Sequence, residues 1–524
     1  MTFYSDMSSD SPQDSSPGDL HALIYLGASS LSLLIADASR DFEMVDFLMQ
    51  PLPIARDIFR DEKVTRPTVE RCVQVIDDFK NVLAEYAINS KEIPLRLVAA
   101  NILLEAGNKD AFLNRIQVAN GLKVGTLDDG EMTRLIYIMT QENLNAIPDI
   151  SKKTVLIIHV GPGNTRALVF QKGRIAGYAG YRLGTHRTGE VLDTSLLDPV
   201  NTLDVIREHA RGQLDQIYVD HRNIKIDAII AVGMEIQSLA SNFRKKGEKK
   251  IPLKALSQFA AKLASQTKDA RIKTYNADYS DADSLLPSLV INTSIAESLG
   301  VGHIYIPDNM YESSIMRDML VINDQQRRDL EDEVLRFADS LADRYHTDRK
   351  HRQHVMILAN SLFDQLRSLH GLNEHDKMLL QVAATLHEIG TYVSARQHHK
   401  HAQYIISNTD IFGLNSQDVA FVALLVNYHR HELPDAQHDE IYRDLSPQDR
   451  VRISKIASLL RIAVALDRSH SQRIKSVTAH IRGHRLNLVA YGVLDTTVEE
   501  IALLTKADLF EEIFGLDVRI TPGI

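Results

Sequence analysis

Two stretches far apart in the chain share one plan. LHALIYLGASSLSLLIADA, residues 20–38, and VLIIHVGPGNTRALVF, residues 155–170, each run apolar, turn through a glycine-bearing loop and run apolar again. The pattern predicts two β-hairpins. β-type residues, a helix over 67–87, the short strand RLVAAN and helices around 108–120 and 130–144 follow the first hairpin. The second leads into KGRIAGYAGYRLGT, helices near 188–219, the strand DAIIAVG and more helix to about 320. This is a duplication of pattern in which few residues match. It implies two similar α/β lobes with a cleft between them.

At 524 residues the chain is too long for one core, and three or four domains are expected. Residues 1–19 are Ser/Asp/Pro-rich without apolar periodicity and are expected to be a disordered leader. Lobe I is assigned to 20–145 and lobe II to 146–320. From DQQRRDLEDEVLRFADSLADRY onward the pattern is nearly all helical and rich in histidine, giving a helical domain over 321–475. The last residues, 476–524, alternate like strands and then present a helix, as a small α/β domain would.

Composition narrows the class. A net charge of −10 argues against broad nucleic-acid binding, so no nucleic-acid partner is expected. No apolar run is long enough for a membrane span and no signal-peptide pattern opens the chain, so a cytoplasmic protein is expected. The one cysteine, Cys72, excludes an intrachain disulfide and a cysteine zinc cage; within TVERCVQVIDDFKNVLAEY it reads as a buried core thiol.

A strand, a tight glycine loop and a second strand let backbone N–H groups approach a phosphate. The candidate ligand-binding residues are therefore Gly27, Ser29 and Ser30 in the first loop. In the second they are Gly161, Gly163, Asn164, Thr165 and Arg166, although Pro162 removes one amide. An ordinary hairpin turn would carry the same glycines. His159 and Arg166 flank the second loop. They read either as a cationic anion site, since arginine matches phosphate in a bidentate way, or as drift at a site no longer used. The charged helix containing RKHRQH and the cluster FRKKGEKKIPLK at 243–254 read as solvated surface, with RKHRQH as a second place where a polyanion could lie.

The segments in this order resemble the exopolyphosphatase and guanosine pentaphosphate phosphohydrolase (Ppx/GppA) family, a branch of the actin-like ATPase superfamily. IYLGASS is similar to the family's I-D-L-G-S-N-S, LLEAGN to L-R-E-A-x-N, GEMTRLIYI to G-E-E-E-A-R-L-I-Y-L and HVGPGNTR to D-I-G-G-G-S-T-E. AATLHEIGTYVSARQHHKHAQYIISNTDIFGLNSQDVAFVALLVNYHRHELP resembles its helical domain. The resemblance implies two actin-like (ribonuclease H-like) lobes, an all-helical HD-like domain and a small α/β C-terminal domain, assembled as a homodimer. It further implies carboxylates that hold Mg²⁺ and position a water on the terminal phosphate of polyphosphate or a guanosine polyphosphate.

Carried over position by position, those carboxylates are absent. The first-loop aspartate falls on Tyr25, and the second-loop aspartate and glutamate fall on His159 and Arg166. The general-base glutamate falls on Met132, or survives as Glu131 if the frame slips by one. The phosphate-binding arginine of L-R-E-A is Leu104, and the arginine of a later R-A-D is Asp281. Mg²⁺ wants oxygen ligands, and phosphoryl transfer depends on positioning and charge neutralisation. The expectation is an impaired phosphohydrolase site in a protein that binds a phosphate-rich ligand or a protein partner. Two alternatives stand beside it. One is an active phosphatase rebuilt on Glu131, Asp128, Asp129 and His159. The other is metal-dependent hydrolysis of the HD type in the helical domain, where His354, His387, Glu388 and Asp467 fall in the order of a divalent-metal set, with HHKH at 398–401 and His429 nearby. The same histidines could instead be core hydrogen-bonding residues.

Overall fold

The computed structural model describes residues 19–87, 93–145, 147, 149, 152–172, 174–192, 201–244, 250–275, 277, 282–307, 311–321, 324–430, 434 and 439–523. Residues 1–18 of the expected leader, Asp281 and residues 245–249 of the basic cluster at 243–254 lie outside them. The chain divides into two compact units. The first comprises 1–128, 135–167 and 180–323, and the second 129–134, 168–179 and 324–524. Both glycine loops thus belong to the first unit, and the helical region with the C-terminal strands to the second, which also takes 129–134 and 168–179.

The first hairpin is β1 (Leu20–Leu26) and β2 (Ser30–Asp37), continued by β3 (Glu43–Pro51). β4 (Leu95–Ala99) and β5 (Val124–Thr126) complete a sheet of order β3-β2-β1-β4-β5 among the described residues, with β1 antiparallel to β2 and parallel to β4. β1 and β2 are buried almost throughout, which explains their near-continuous apolar runs.

The second sheet repeats the opening with β6 (Thr154–Val160), β7 (Thr165–Gln171) and β8 (Arg174–Tyr181). β9 (Ala228–Val232), β10 (Lys250–Pro252) and β11 (His303–Tyr305) follow, in the order β10-β11-β9-β6-β7-β8. β6 is parallel to β9, with His159 opposite Val232.

The duplication extends to individual hydrogen bonds. The Gly27 N–H donates to the Ser30 carbonyl at 2.9 Å, and the Gly161 N–H donates to the Asn164 carbonyl at 2.9 Å. One residue on, the Ala28 carbonyl accepts from Ala55 N–H in the first turn of helix Ile54–Asp61. The Pro162 carbonyl accepts in the same way from Arg187 N–H in helix Thr185–Leu192. Each loop is thus held by the start of the next helix in its own lobe.

In the second unit the helices start where the sequence supplies caps. Asp348 caps Arg349–Gln365, Asn373 forms a capping box with Asp376, and Ser446 caps Pro447–Leu466 with proline at the first position. The C-terminal strands β12 (Ser476–Arg482), β13 (Arg485–Tyr491) and β14 (Asp517–Pro522) form a sheet of order β12-β13-β14. Buried Arg461 of Pro447–Leu466 donates to the Tyr428 carbonyl at 2.6 Å and to Asp508 at 2.5 Å, fastening this terminal part to the helical core. Among the described residues no helix is long and apolar enough to cross a membrane.

Candidate functional site

The carboxyl ends of parallel strands are where ligands enter open α/β sheets. β1 and β6 end there on Leu26 and Val160, with Tyr25 and His159 one residue before each end. The positions where acids were expected carry a buried phenol, imidazole and guanidinium: Tyr25, His159 and Arg166 are each 3% exposed or less.

These groups are tied together. An Arg166 Nη1 lies 3.4 Å from His159 Nδ1, and the Tyr311 hydroxyl lies 2.6 Å from His159 Nε2. Arginine only donates, so Nδ1 accepts; Nε2 then carries the ring proton and donates to the Tyr311 oxygen. The ring is neutral in this arrangement. Burial, then the Arg166 charge, hold His159 well below the ordinary histidine range. Burial raises the Tyr25 phenol well above its usual value, and Tyr311 and Glu312 add to the effect.

Glu312, next in the chain, reaches the first loop. Its Oε1 accepts from Ser30 Oγ at 2.6 Å and its Oε2 from Ser32 Oγ at 2.7 Å. A Cβ built on Gly27 would lie 2.9 Å from Glu312 Oε1, so the space glycine leaves for a close-approaching anion is taken by the protein's own carboxylate. Burial raises the Glu312 pKa, and the two serine hydrogen bonds partly offset this. Helix Tyr311–Val321 therefore serves both loops with adjacent residues, Tyr311 on His159 and Glu312 on Ser30 and Ser32.

The second loop is filled as well. Thr165 Oγ1 donates to the Leu183 carbonyl at 2.7 Å, and Arg187 donates to the Gly163 carbonyl at 2.8 Å while pairing with Glu105 at 2.5 Å. Gly184 lies so close beneath that a Cβ there would collide with the Pro162 carbonyl. After β9, buried Glu235 accepts from Thr185 Oγ1 at 2.5 Å, and burial raises its pKa.

The structure thus gathers Gly27, Ser29, Ser30, Gly161, Gly163, Asn164, Thr165 and Arg166 at two matching loops, but engages Ser30, Thr165 and the Gly163 carbonyl internally. Leu104 is partly exposed. Glu131 is half-buried and Met132 buried in the first turn of helix Asp129–Asn145, and this segment groups with the second unit. The cleft residues do not fit a resident Mg²⁺. A hard cation that keeps several waters is poorly served by a buried cluster containing Arg166, whose carboxylates Glu312 and Glu235 are desolvated and hydrogen-bonded to hydroxyls.

In the helical unit, His351 and His387 meet, their Nε2 atoms 3.3 Å apart, and Asp467 accepts from His351 Nδ1 at 2.8 Å. Glu388 lies 3.6 Å from His470. His354, assigned to this set from the sequence, does not join it. It faces the neighbouring side of the same helix and its Nε2 is buried without a hydrogen-bond partner, while His351, one turn earlier, takes the position. Asp467 faces His351 as an orienting partner.

Sequence reasoning passed over Tyr311, Glu312, Glu235, His351 and His470. Glu312 had a local signal: it shares a face with Ile315, Met316 and Met319 at helical spacing, so a carboxylate stands in an apolar stripe. His351 and His354 both sit in buried stripes of one helix, so spacing alone did not separate them.

Paired glycine-loop hairpins in two mixed sheets, followed by a helical domain, define a class of α/β proteins with two similar lobes. Within that class, a profile of the Ppx/GppA phosphatase family matches residues 48–319, and one of Ppx/GppA phosphatase, domain III, matches 335–512. The chain belongs to the Ppx/GppA phosphatase family. It is 23% identical over 477 residues to the guanosine-5'-triphosphate,3'-diphosphate pyrophosphatase of Pseudoalteromonas translucida (strain TAC 125), covering 86% of this chain and 87% of that one. To the protein of the same name from Aeromonas hydrophila it is 22% identical over 463 residues, covering 85% and 87%. Among solved structures, an exopolyphosphatase from Cytophaga hutchinsonii aligns with a TM-score of 0.49 at 15% identity, covering 57% of this chain and 97% of that one.

Proposed function

We propose that this family member has an impaired phosphohydrolase site in its glycine-loop unit and acts by binding a phosphate-rich ligand, polyphosphate or a guanosine polyphosphate, or a protein partner. The observation that carries the reading is Glu312, whose carboxylate stands against Gly27 and takes the Ser30 and Ser32 hydroxyls. A terminal phosphate that used this loop for catalysis would have to displace an internal anion and would still meet no metal-binding carboxylate at Tyr25, His159 or Arg166. The names of the relatives and the retained loops support the ligand class. The test is phosphate release from polyphosphate and guanosine pentaphosphate with Mg²⁺ or Mn²⁺, run beside equilibrium binding of the same compounds. Binding without turnover is expected; turnover abolished by Glu131→Ala would overturn the reading.

The active alternative rests on Glu131, which keeps an acid in the first turn of helix Asp129–Asn145. The same Glu131→Ala comparison decides it. The helical unit is read as HD-like, with His351 rather than His354 beside His387 and Asp467.

A further inference from the structure

Helix Thr497–Lys506, in the C-terminal part of the second unit, carries apolar residues on both of its faces. The inner face, Glu499, Ala502, Leu503 and Lys506, is buried against helix Pro447–Leu466 and β14, and Lys506 Nζ donates to the His429 carbonyl at 2.8 Å. A surface helix normally turns charged residues outward. Here the outer face holds Val498, Ile501 and Leu504, and Leu494 stands in the turn just before the helix. Leu494 is 97% exposed, Leu504 75% and Ile501 61%, and nothing among the described residues covers them. Single exposed leucines are ordinary, whereas apolar side chains grouped on one face mark a contact surface.

The charges around this face select what can cover it. From Leu494 to Glu512 every exposed charged side chain is an acid: Asp495, Glu500, Glu511 and Glu512. The one cation of the stretch, Lys506, is buried on the inner face, and half-buried Asp508 pairs with Arg461. Arg473 reaches the Asp495 carbonyl at 2.5 Å, at the Leu494 end. An acidic rim repels an anionic membrane surface, and a second copy would set Glu500 against acids of its own kind, which costs affinity. The area points the same way. A helix of 10 residues is about 15 Å long, and one side of it falls well short of the roughly 800 Å² per partner that a stable dimer buries. It suits a single helix laid along it.

We infer that the outer face of helix Thr497–Lys506, together with Leu494, docks an amphipathic helix of a partner protein whose apolar stripe is flanked by lysine or arginine. Leu494, Ile501 and Leu504 supply the apolar contact, and Glu500 with its neighbouring acids selects the basic flanks. The surface is independent of the glycine loops, so it stands whether or not they bind or hydrolyse anything.

The test uses the full chain and two fluorescein-labelled helical peptides with the same leucine stripe, one flanked by lysine and one by glutamate, read by fluorescence anisotropy. The lysine peptide should bind at least about ten-fold more tightly than the glutamate peptide, and added salt should weaken it. Ile501→Ser combined with Leu504→Ser should weaken it by at least about ten-fold. Glu500→Gln keeps the acceptor for the Thr496 hydroxyl and should weaken it about two- to three-fold. Val118→Ser, at an exposed position of the first unit, should leave it unchanged. Equal binding of the two peptides, or wild-type affinity in the serine double variant, overturns the proposal. A wild-type dimer that the double variant dissociates, measured by light scattering, overturns it in favour of a second copy. Binding to phosphatidylcholine vesicles that the double variant loses overturns it in favour of a membrane.

Discussion

The Glu312 carboxylate accepts the Ser30 hydroxyl at 2.6 Å across 282 positions of sequence. Ser30 belongs to a loop of the kind that cradles phosphate, and Glu312 places an anion of the protein's own against it. Its chain neighbour Tyr311 binds His159 beside the equivalent loop of the second lobe. One helix end therefore engages both halves of a duplicated loop arrangement.

The closure makes a thermodynamic prediction. Gly27→Ala sets a methyl 2.9 Å from Glu312 Oε1 and 3.3 Å from the Ser30 carbonyl, an overpacking worth about 1–3 kcal/mol. Glu312→Ala strands two buried serine hydroxyls, at about 1–3 kcal/mol. Combined, the variants should cost less than the sum of the two by at least about 0.5 kcal/mol, because the second change removes the clash made by the first. Denaturant unfolding of the four proteins measures this, and strict additivity would mean that the carboxylate does not stand at Gly27.

The second loop should be equally intolerant of added bulk. A Cβ on Gly184 meets the Pro162 carbonyl and Gly163, and backbone cannot swing aside as a flexible side chain can. Gly184→Ala should therefore cost more than Gly27→Ala, above about 3 kcal/mol, or prevent soluble expression. Expression beside wild type and a thermal melt read the outcome.

Arg461 gives a prediction for the second unit. It is fully buried, donates to the Tyr428 carbonyl and pairs with Asp508. Arg461→Met keeps much of the apolar stem but removes the buried donor to that carbonyl and the pairing with Asp508, for about 1–3 kcal/mol. Hydrogen exchange should quicken together in helix Pro447–Leu466 and in the segment Asp508–Phe514. Faster exchange confined to the terminal segment would mean that the two do not share a cooperative core.

How far the sequence carried the reading depends on the range of the signals. The two hairpins were legible because strand burial and glycine turns are local, and the family followed from motif order. The matching loop bonds, Ala28 with Ala55 and Pro162 with Arg187, were not legible, because each joins a loop to a helix whose docking is a tertiary event. Glu312 was missed for the same reason, its partners lying nearly three hundred residues away. His354 was preferred to His351 because both fit the helical period, and the tertiary contacts of His351 with Asp467 and His387 separate them.

His186 yields the pH prediction. It is buried at 2% exposure, 3.8 Å from Glu235, and burial pushes its pKa down to about 4. The unfolded chain carries an ordinary histidine near 6.5, so between about pH 6.5 and 4 it binds a proton that the folded protein refuses. Stability from this residue is retained above pH 6.5 and lost as the pH falls toward 4. At about 1.4 kcal/mol per pKa unit, the loss between pH 7.5 and pH 5 is on the order of 2 kcal/mol. Glu235 has the opposite sign: burial raises its pKa, so its contribution falls as pH rises past the unfolded value. The wild-type profile mixes the two, and His186→Gln isolates the histidine, since glutamine does not titrate. Urea unfolding at both pH values should show a smaller acid-induced loss in the variant, by about 2 kcal/mol. Equal losses would mean that His186 is protonated in the folded protein.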